Sequence, residues 1–392
     1  MKEFIKEFIK ELISTKKKES RFLFIQNINQ NPSLTGQKRA LMSYITNPFE
    51  LSFDIESCFH TNQIECIQIL NILIELNFSI DICHCLDDMN VSKMVNKKYD
   101  LIFGLGDLFH ELCKLNKNSV KILYCAEAHP TFLKKKEKER LDYYLERKGV
   151  VEKSRRTNTY YKEKYFNYVN NIIYKGNDYN KKSFLEVEYI TNILPIAPAP
   201  FLNMDYVYSP KNHINTRNNF IWFGSLGAIH KGLDLLVDVF VKNTNLNLFI
   251  CGLDKSEEYL FPELPLNIKN MGFVDVNTEK YLALVNNCSF VVMPSCCEGM
   301  SSGVITSMNH GLIPLISREC GVDLLDEDLY LNKFRTEYLE NNILKYSKMG
   351  LEKLQSINDL IFEETRKKYS INQFKKQMTD NIKICLNDVE NQ

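Results

Sequence analysis

Residues 291–316 read VVMPSCCEGMSSGVITSMNHGLIPLI. Val291, Val292 and Met293 form a strand-length apolar run, and Val304, Ile305 and Met308 repeat at helical spacing. A second apolar run follows Gly311. The order strand, loop, helix, strand is the unit of a parallel sheet. Glu298 stands at the end of the first strand, ahead of a glycine- and serine-rich turn that opens the helix. Its carboxylate and the amides of the helix N-terminus therefore converge on one spot. A carboxylate can hold sugar hydroxyls and the amides can hold phosphate, although an acid at a helix start also acts simply as a cap.

Upstream, residues 220–232 read FIWFGSLGAIHKG. A strand runs into a turn containing Gly224, Ser225 and Gly227, then Lys231, then the apolar helix of Leu233, Leu235, Leu236 and Val239. Glycines let a backbone approach phosphate closely, and a lysine supplies a point charge for a diphosphate. A tight connection alone would explain the same glycines. Strands at 220–223, 246–251, 289–293 and 313–316, with helices starting near Lys231, Thr278 and Ser302, complete one alternating series.

An earlier series has strand-length runs at 22–25, 41–45, 80–83, 101–103, 120–124, 171–174 and 192–196, with a clear helical repeat over 62–76. Pro195, Pro198, Pro200 and Pro210 break regular structure between the two. The expected fold is α/β: two Rossmann-like doubly wound domains facing across a cleft, where the carboxyl ends of the strands bind ligands. The expected division is an amphipathic helix over 1–20, a first domain over 21–200, a linker over 201–218, a second domain over 219–368 and a closing helical segment over 369–392.

The chain has 392 residues, enough for two to three domains, and is 44% apolar and 25% charged, which argues against wholesale disorder. Lys and Arg total 49 and Asp and Glu total 49, so no global basic field exists to hold nucleic acid. The runs 134–140 and 153–156 are solvated helix faces by default and also the best local polyanion patches. The 12 cysteines lack a regular framework spacing and contain no C-x-x-C pair, so they are expected as reduced thiols without a zinc site. No apolar run approaches the roughly 20 residues of a membrane span. A cytoplasmic protein is expected. The helix over 1–20 and the lysines at 16–18 fit either peripheral contact with the inner face of a membrane or packing on the protein body.

The order Gly224, Lys231-Gly232, Glu298-Gly299, Ser307-Met308, Gly311 and Pro314 resembles the donor-binding half of the family-four (group 1) glycosyltransferases of the GT-B fold. His60-Thr61-Asn62-Gln63-Ile64-Glu65 and Cys125-Ala126-Glu127-Ala128-His129-Pro130 are similar to the acceptor-side segments of that family. The resemblance covers most of residues 40–375. The amphipathic stretch 371–385 is similar to the last helix of that fold, which crosses back to the first domain.

The resemblance implies a retaining glycosyltransferase that needs no metal, cofactor or protein nucleophile. It would move a sugar from a nucleotide-diphosphate sugar to a glycan or lipid-linked acceptor, in surface polysaccharide or glycoconjugate synthesis. It gives Lys231 the diphosphate, Glu298 the sugar hydroxyls, and the amides of Gly299, Met300, Ser301 and Ser302 further polar contacts. Gly224, Ser225, Gly227 and Thr306 complete the donor side. His129 would face the reacting sugar, and His60, Thr61, Asn62 and Glu65 lie on the acceptor side. Read for structure alone, Thr61 and Asn62 are capping residues and Glu65 completes a capping box from Asn62. His129, at a strand end before Pro130, reads as a site residue. His84, His110, His213 and His310 show no ligand-like spacing.

Two positions depart from the family pattern. Thr306 stands where a second glutamate usually holds the ribose, and Ser225 stands where an arginine usually meets the diphosphate. They support an alternative reading as a catalytically impaired GT-B-like protein that binds a sugar, nucleotide or partner. A sugar-nucleotide epimerase or a phosphorylase is a third reading, the phosphorylase disfavoured because nothing marks a pyridoxal phosphate lysine.

Overall fold

The computed structural model describes residues 22–51, 58, 60–87, 94, 96–156, 160–187, 189–203 and 205–390. The amphipathic helix expected over 1–20, and any membrane contact through it, lies outside the described residues.

The first sheet contains β1 (Ile25–Ile28), β2 (Arg39–Tyr44), β3 (Ser79–His84), β4 (Leu101–Gly104), β5 (Val120–Cys125), β6 (Asn171–Lys175) and β7 (Asn192–Ile196). Their spatial order is β1-β3-β2-β4-β5-β6-β7. The second contains β8 (Asn219–Phe223), β9 (Asn247–Cys251), β10 (Ile268–Gly272), β11 (Phe290–Met293) and β12 (Ile313–Ile316), in the order β10-β9-β8-β11-β12. Every residue of β4, β11 and β12 is buried, as expected for parallel strands covered on both faces.

Two strands differ from expectation. β1 begins at Ile25 rather than at residue 22 and pairs antiparallel with β3, in a layer expected to be parallel. Asn27 is left-handed at φ 58° and its N–H donates to Asp81 Oδ1 at 2.9 Å, so this edge is fixed by a polar contact that apolar patterning does not register. β10 is absent from the apolar pattern: within IKNMG only Ile268 is buried, because the strand sits at a sheet edge.

Counting helices of eight residues or more, α1 spans Thr61–Glu75, α2 Asp107–Leu115 and α3 Pro130–Lys148. They are followed by α4 (Leu233–Lys242), α5 (Glu279–Asn286), α6 (Ser302–Asn309), α7 (Thr336–Ser347), α8 (Leu351–Lys368) and α9 (Ile371–Glu390). Pro130 opens α3 and Gly149, left-handed at φ 68°, ends it. Among these helices none is long and apolar enough to cross a membrane.

α3 follows β5 in the chain yet docks on the second domain. Arg140 Nη1 donates to the Ile229 carbonyl at 3.2 Å and Nη2 to the Pro294 carbonyl at 2.8 Å. Arg147 is ion-paired with both Asp234 and Asp238 of α4. The run 134–140 is thus only partly the solvated face its charge suggests: Lys134 and Lys138 are exposed, but Arg140 is buried. The stretch 153–156 is not helical at all. α9 returns to the first domain, where Lys375 pairs with Glu75 at 2.6 Å and Asn381 Nδ2 donates to the Pro195 carbonyl at 3.0 Å.

Candidate active site

The carboxyl ends of both sheets face each other across a cavity of about 390 Å³. Its walls come from residues just past strand ends: Ala126 and Glu127 after β5, Gly224 and Ser225 after β8, Gly252 after β9, and Phe273 and Val274 after β10. A larger hollow of about 520 Å³, beside Lys38, Lys98 and Lys117, lies at the amino ends of the first sheet's strands. Doubly wound sheets gather loops and helix N-termini at carboxyl ends, so the cavity between the domains is the candidate site.

Lys231 and Glu298 meet inside it. Lys231 Nζ donates to Glu298 Oε1 at 2.5 Å and Ser295 Oγ donates to the same oxygen at 2.8 Å. Both residues are buried, at 6% and 8% exposure, so the second domain holds a desolvated charge pair at the cavity wall. Burial alone would raise the Glu298 carboxyl, but the Lys231 ammonium and then the Arg156 guanidinium outweigh it and hold the group down at about 2. Glu298 is ionised across the physiological range.

The following turn presses against the first domain. A Cβ on Gly299 would stand 2.4 Å from the Ala126 carbonyl oxygen and 2.8 Å from that of Lys175, so only glycine fits. Asn180 Nδ2 donates to the Glu298 carbonyl at 3.1 Å across the same contact. Gly299, expected to contact a donor, is therefore an inter-domain contact and does not line the cavity. The Ser301 N–H is also committed, donating to the Cys320 carbonyl at 2.8 Å. Met300, Ser301, Ser302, Gly303 and Thr306 do line the cavity, placing the positive end of α6 against it.

Gly224 and Ser225 line the cavity; Gly227 does not. The Gly227 and Ala228 N–H groups donate to the two carboxylate oxygens of Glu257 at 2.7 and 3.0 Å. A buried carboxylate from the same domain occupies the amides expected to face a ligand.

On the opposite wall, His60 and Thr61 line the cavity and Asn62 does not. His60, not Asn62, caps α1: its Nδ1 accepts from the Asn62 N–H at 3.3 Å. Partial burial and then nearby Lys175 lower the His60 imidazole. Glu65 forms no capping box. It is fully buried and accepts from Lys175 Nζ at 2.9 Å and from Tyr124 Oη at 3.0 Å. Glu65 thus supports Lys175, and Lys175 reaches the cavity.

His129 does not face the cavity. As the residue before Pro130 it forms the N-cap of α3, and its ring lies 4.6 Å from that of Phe166 and 6.4 Å from that of Phe184. The turn into the helix rotates it into the first domain, leaving Ala126 and Glu127 at the wall. The histidines read as ordinary are structural where their contacts are visible: His310 Nδ1 bonds the Thr306 carbonyl at 2.7 Å and Nε2 accepts from the Asn203 N–H at 3.1 Å.

Several wall residues escaped the sequence reading: Arg156, Lys175, Phe223, Gly252 and Phe273, while Glu127 entered it only within the segment 125–130. Arg156 is visible in the sequence only as part of a basic cluster, and Phe273 follows the edge strand β10. Among the described residues no group of three or more His, Cys, Asp or Glu is placed to hold a metal ion.

Residues 207–328 match the family model described as glycosyl transferases group 1. Solved structures match the fold over most of the chain. A HepE structure from Anabaena, in complex with UDP and glucose, aligns with a TM-score of 0.58 at 12% identity, over 89% of this chain and 100% of that one. Sucrose-phosphate synthase from Thermosynechococcus elongatus aligns with a TM-score of 0.60 at 12% identity, over 90% and 100%. S. aureus TarM, as a mutant in complex with Fondaparinux, alpha-GlcNAc-glycerol and UDP, aligns with a TM-score of 0.52 at 14% identity, over 82% and 59%. No curated protein matches the sequence. The chain has the GT-B fold, and its second domain carries the group 1 glycosyl transferase pattern.

Proposed function

We propose that this protein is a metal-independent, retaining glycosyltransferase that takes a nucleotide-diphosphate sugar as donor and a glycan or lipid-linked acceptor. The observation that carries the proposal is the Lys231–Glu298 pair, desolvated at the junction of β8, β11 and the α6 N-terminus. HepE and TarM, of the same fold, have been solved with UDP.

Chemistry follows from the charges. Departure of a nucleoside diphosphate builds negative charge on the leaving phosphate. Lys231, once its carboxylate partner turns to the sugar hydroxyls, neutralises that charge in a water-poor cleft together with the α6 amides. Glu298, ionised and held by Ser295, accepts hydrogen bonds from sugar hydroxyls rather than shuttling protons. In a retaining transfer without a protein nucleophile, the leaving phosphate oxygen takes the acceptor's proton on the face it vacates. His60 and Thr61, on the wall opposite Lys231 and Glu298, are the residues we assign to the acceptor.

A second reading is a catalytically impaired sugar- or nucleotide-binding protein. It is favoured by Thr306 and Ser225, and by Glu257 filling the Gly227 and Ala228 amides. Thermal unfolding against UDP, GDP, ADP and their sugar conjugates, with Lys231→Ala in parallel, separates the readings. Ligand at 100 times its dissociation constant stabilises the folded state by about 2.7 kcal/mol. Stabilisation by one nucleotide family that is lost in the variant, together with release of nucleoside diphosphate on turnover, supports the transferase. Stabilisation without turnover supports the binding protein, and no stabilisation by any nucleotide removes the donor assignment.

A further inference from the structure

We infer that Arg156, a residue of the first domain, supplies the mobile second cation that receives the donor diphosphate in place of a charge at Ser225. The inference rests on the donor-site reading above and identifies a residue which that reading does not use.

The cations on the described cavity wall are Lys231, Lys175 and Arg156. Lys175 is bound to Glu65, a carboxylate of 0% side-chain exposure, through contacts at 3.2 and 2.9 Å. Pulling it away would strand a fully buried, uncompensated charge, which strongly opposes its release. Arg156 is different. Its guanidinium pairs with Glu127, whose side chain keeps 25% exposure and borders the same cavity, so that carboxylate can return to water when the arginine leaves. An arginine also suits a diphosphate, because its planar fork binds two phosphate oxygens at once.

The chain holds Arg156 against the second domain. The Arg155 and Arg156 N–H groups donate to Glu137 Oε1 at 3.2 and 3.1 Å. Glu137 lies on α3, the helix pinned to the second domain by Arg140 and Arg147. The aliphatic stem of Arg156 crosses Gly227, where an added Cβ would stand 3.1 Å from Cδ and 3.2 Å from Cγ. Gly227 is left-handed at φ 98°, which favours glycine by itself, and its lack of a side chain leaves room for the Arg156 stem. Ser225 lines the same cavity with a neutral hydroxyl. When the donor enters, the guanidinium moves from a carboxylate to a diphosphate; no bond is made or broken.

The test measures affinities of full-length protein for UDP, GDP and ADP, and for the matching nucleosides, by titration calorimetry. With the nucleotide that wild type binds, Arg156→Ala should weaken diphosphate binding roughly tenfold or more, from the worth of a charged hydrogen bond. Nucleoside binding should not change. Adding Ser225→Arg to Arg156→Ala should recover much of the loss. Glu127→Gln, which removes the competing carboxylate, should tighten diphosphate binding severalfold. The inference is overturned if Arg156→Ala binds the diphosphate as wild type does while Lys231→Ala loses it, a result that leaves the donor site standing. It is equally overturned if Glu127→Gln weakens binding, the outcome of a purely structural pair, and that arm decides the matter should Arg156→Ala fail to fold. If wild type binds no nucleoside diphosphate, the donor reading itself falls and takes this inference with it.

Discussion

The place of Glu298 and Lys231 on the cavity wall was legible because each sits at a strand-to-helix junction, and such junctions point at the carboxyl edge of a sheet. Their burial was not legible. A cleft position suggests that either side chain can be removed without harm to the fold, yet the two are buried and ion-paired with each other inside the protein. Glu298→Gln is therefore expected to lower transfer about a hundredfold or more. It should also destabilise the fold by about 3–5 kcal/mol, since it leaves Lys231 buried and unpaired. The double variant Glu298→Gln/Lys231→Met should regain most of that stability and stay inactive. Denaturant unfolding beside a donor-release assay checks both; a double variant no more stable than the single one would contradict the buried-pair account. Gly227 and Gly299 were recognisable as special: Gly227 is held at φ 98°, while the reason for Gly299 lies far away in the chain, in the Ala126 carbonyl. His129 failed because the geometry of a helix start, not strand position, decides where that ring points.

Among the elements, the buried strands matched expectation closely, since parallel strands covered on both faces are apolar runs. The edge strands β1 and β10 did not, since a strand buried on one side leaves a weak pattern. α3 is the element whose role the sequence hid: charge every few residues reads as a solvated face, and only the fold shows which charges find carbonyls and carboxylates in the other domain. Arg147→Ala removes the partner of a nearly fully buried Asp234. It should cost on the order of 3 kcal/mol. Hydrogen exchange should quicken over 130–156 and not over 371–390. Uniform exchange in both segments would contradict α3 as a strap. Gly299→Ala should separate the domains at the Ala126 contact and reduce donor affinity severalfold, with little change in the second domain's own exchange pattern. Unchanged affinity would show that the contact does not shape the cavity.

For the molecule as a whole, the balance of 49 basic and 49 acidic residues hides local fields, and the buried histidines set how stability responds to acid. Burial pushes His230 down to about 3 and His213 and His310 down to about 4, so all three are neutral when folded. Unfolded histidine titrates near 6.5. Between about pH 6.5 and 4 the unfolded chain therefore takes up protons that the folded chain does not, and stability falls as pH falls through that window. Glu298 adds its own loss only below about pH 4.3, where an unfolded glutamate begins to protonate while the folded one holds out to about 2. A melting temperature constant from pH 7 to 5 would contradict the neutral burial of these histidines. The central claim concerns the cavity between the domains, and the measurement that tests it most directly is a crystal structure with the nucleotide sugar that stabilises the protein best. The account predicts a diphosphate within hydrogen-bonding distance of Lys231 and Arg156, with the sugar against Glu298; a donor bound in the hollow beside Lys38, Lys98 and Lys117, or outside the cavity altogether, would contradict it.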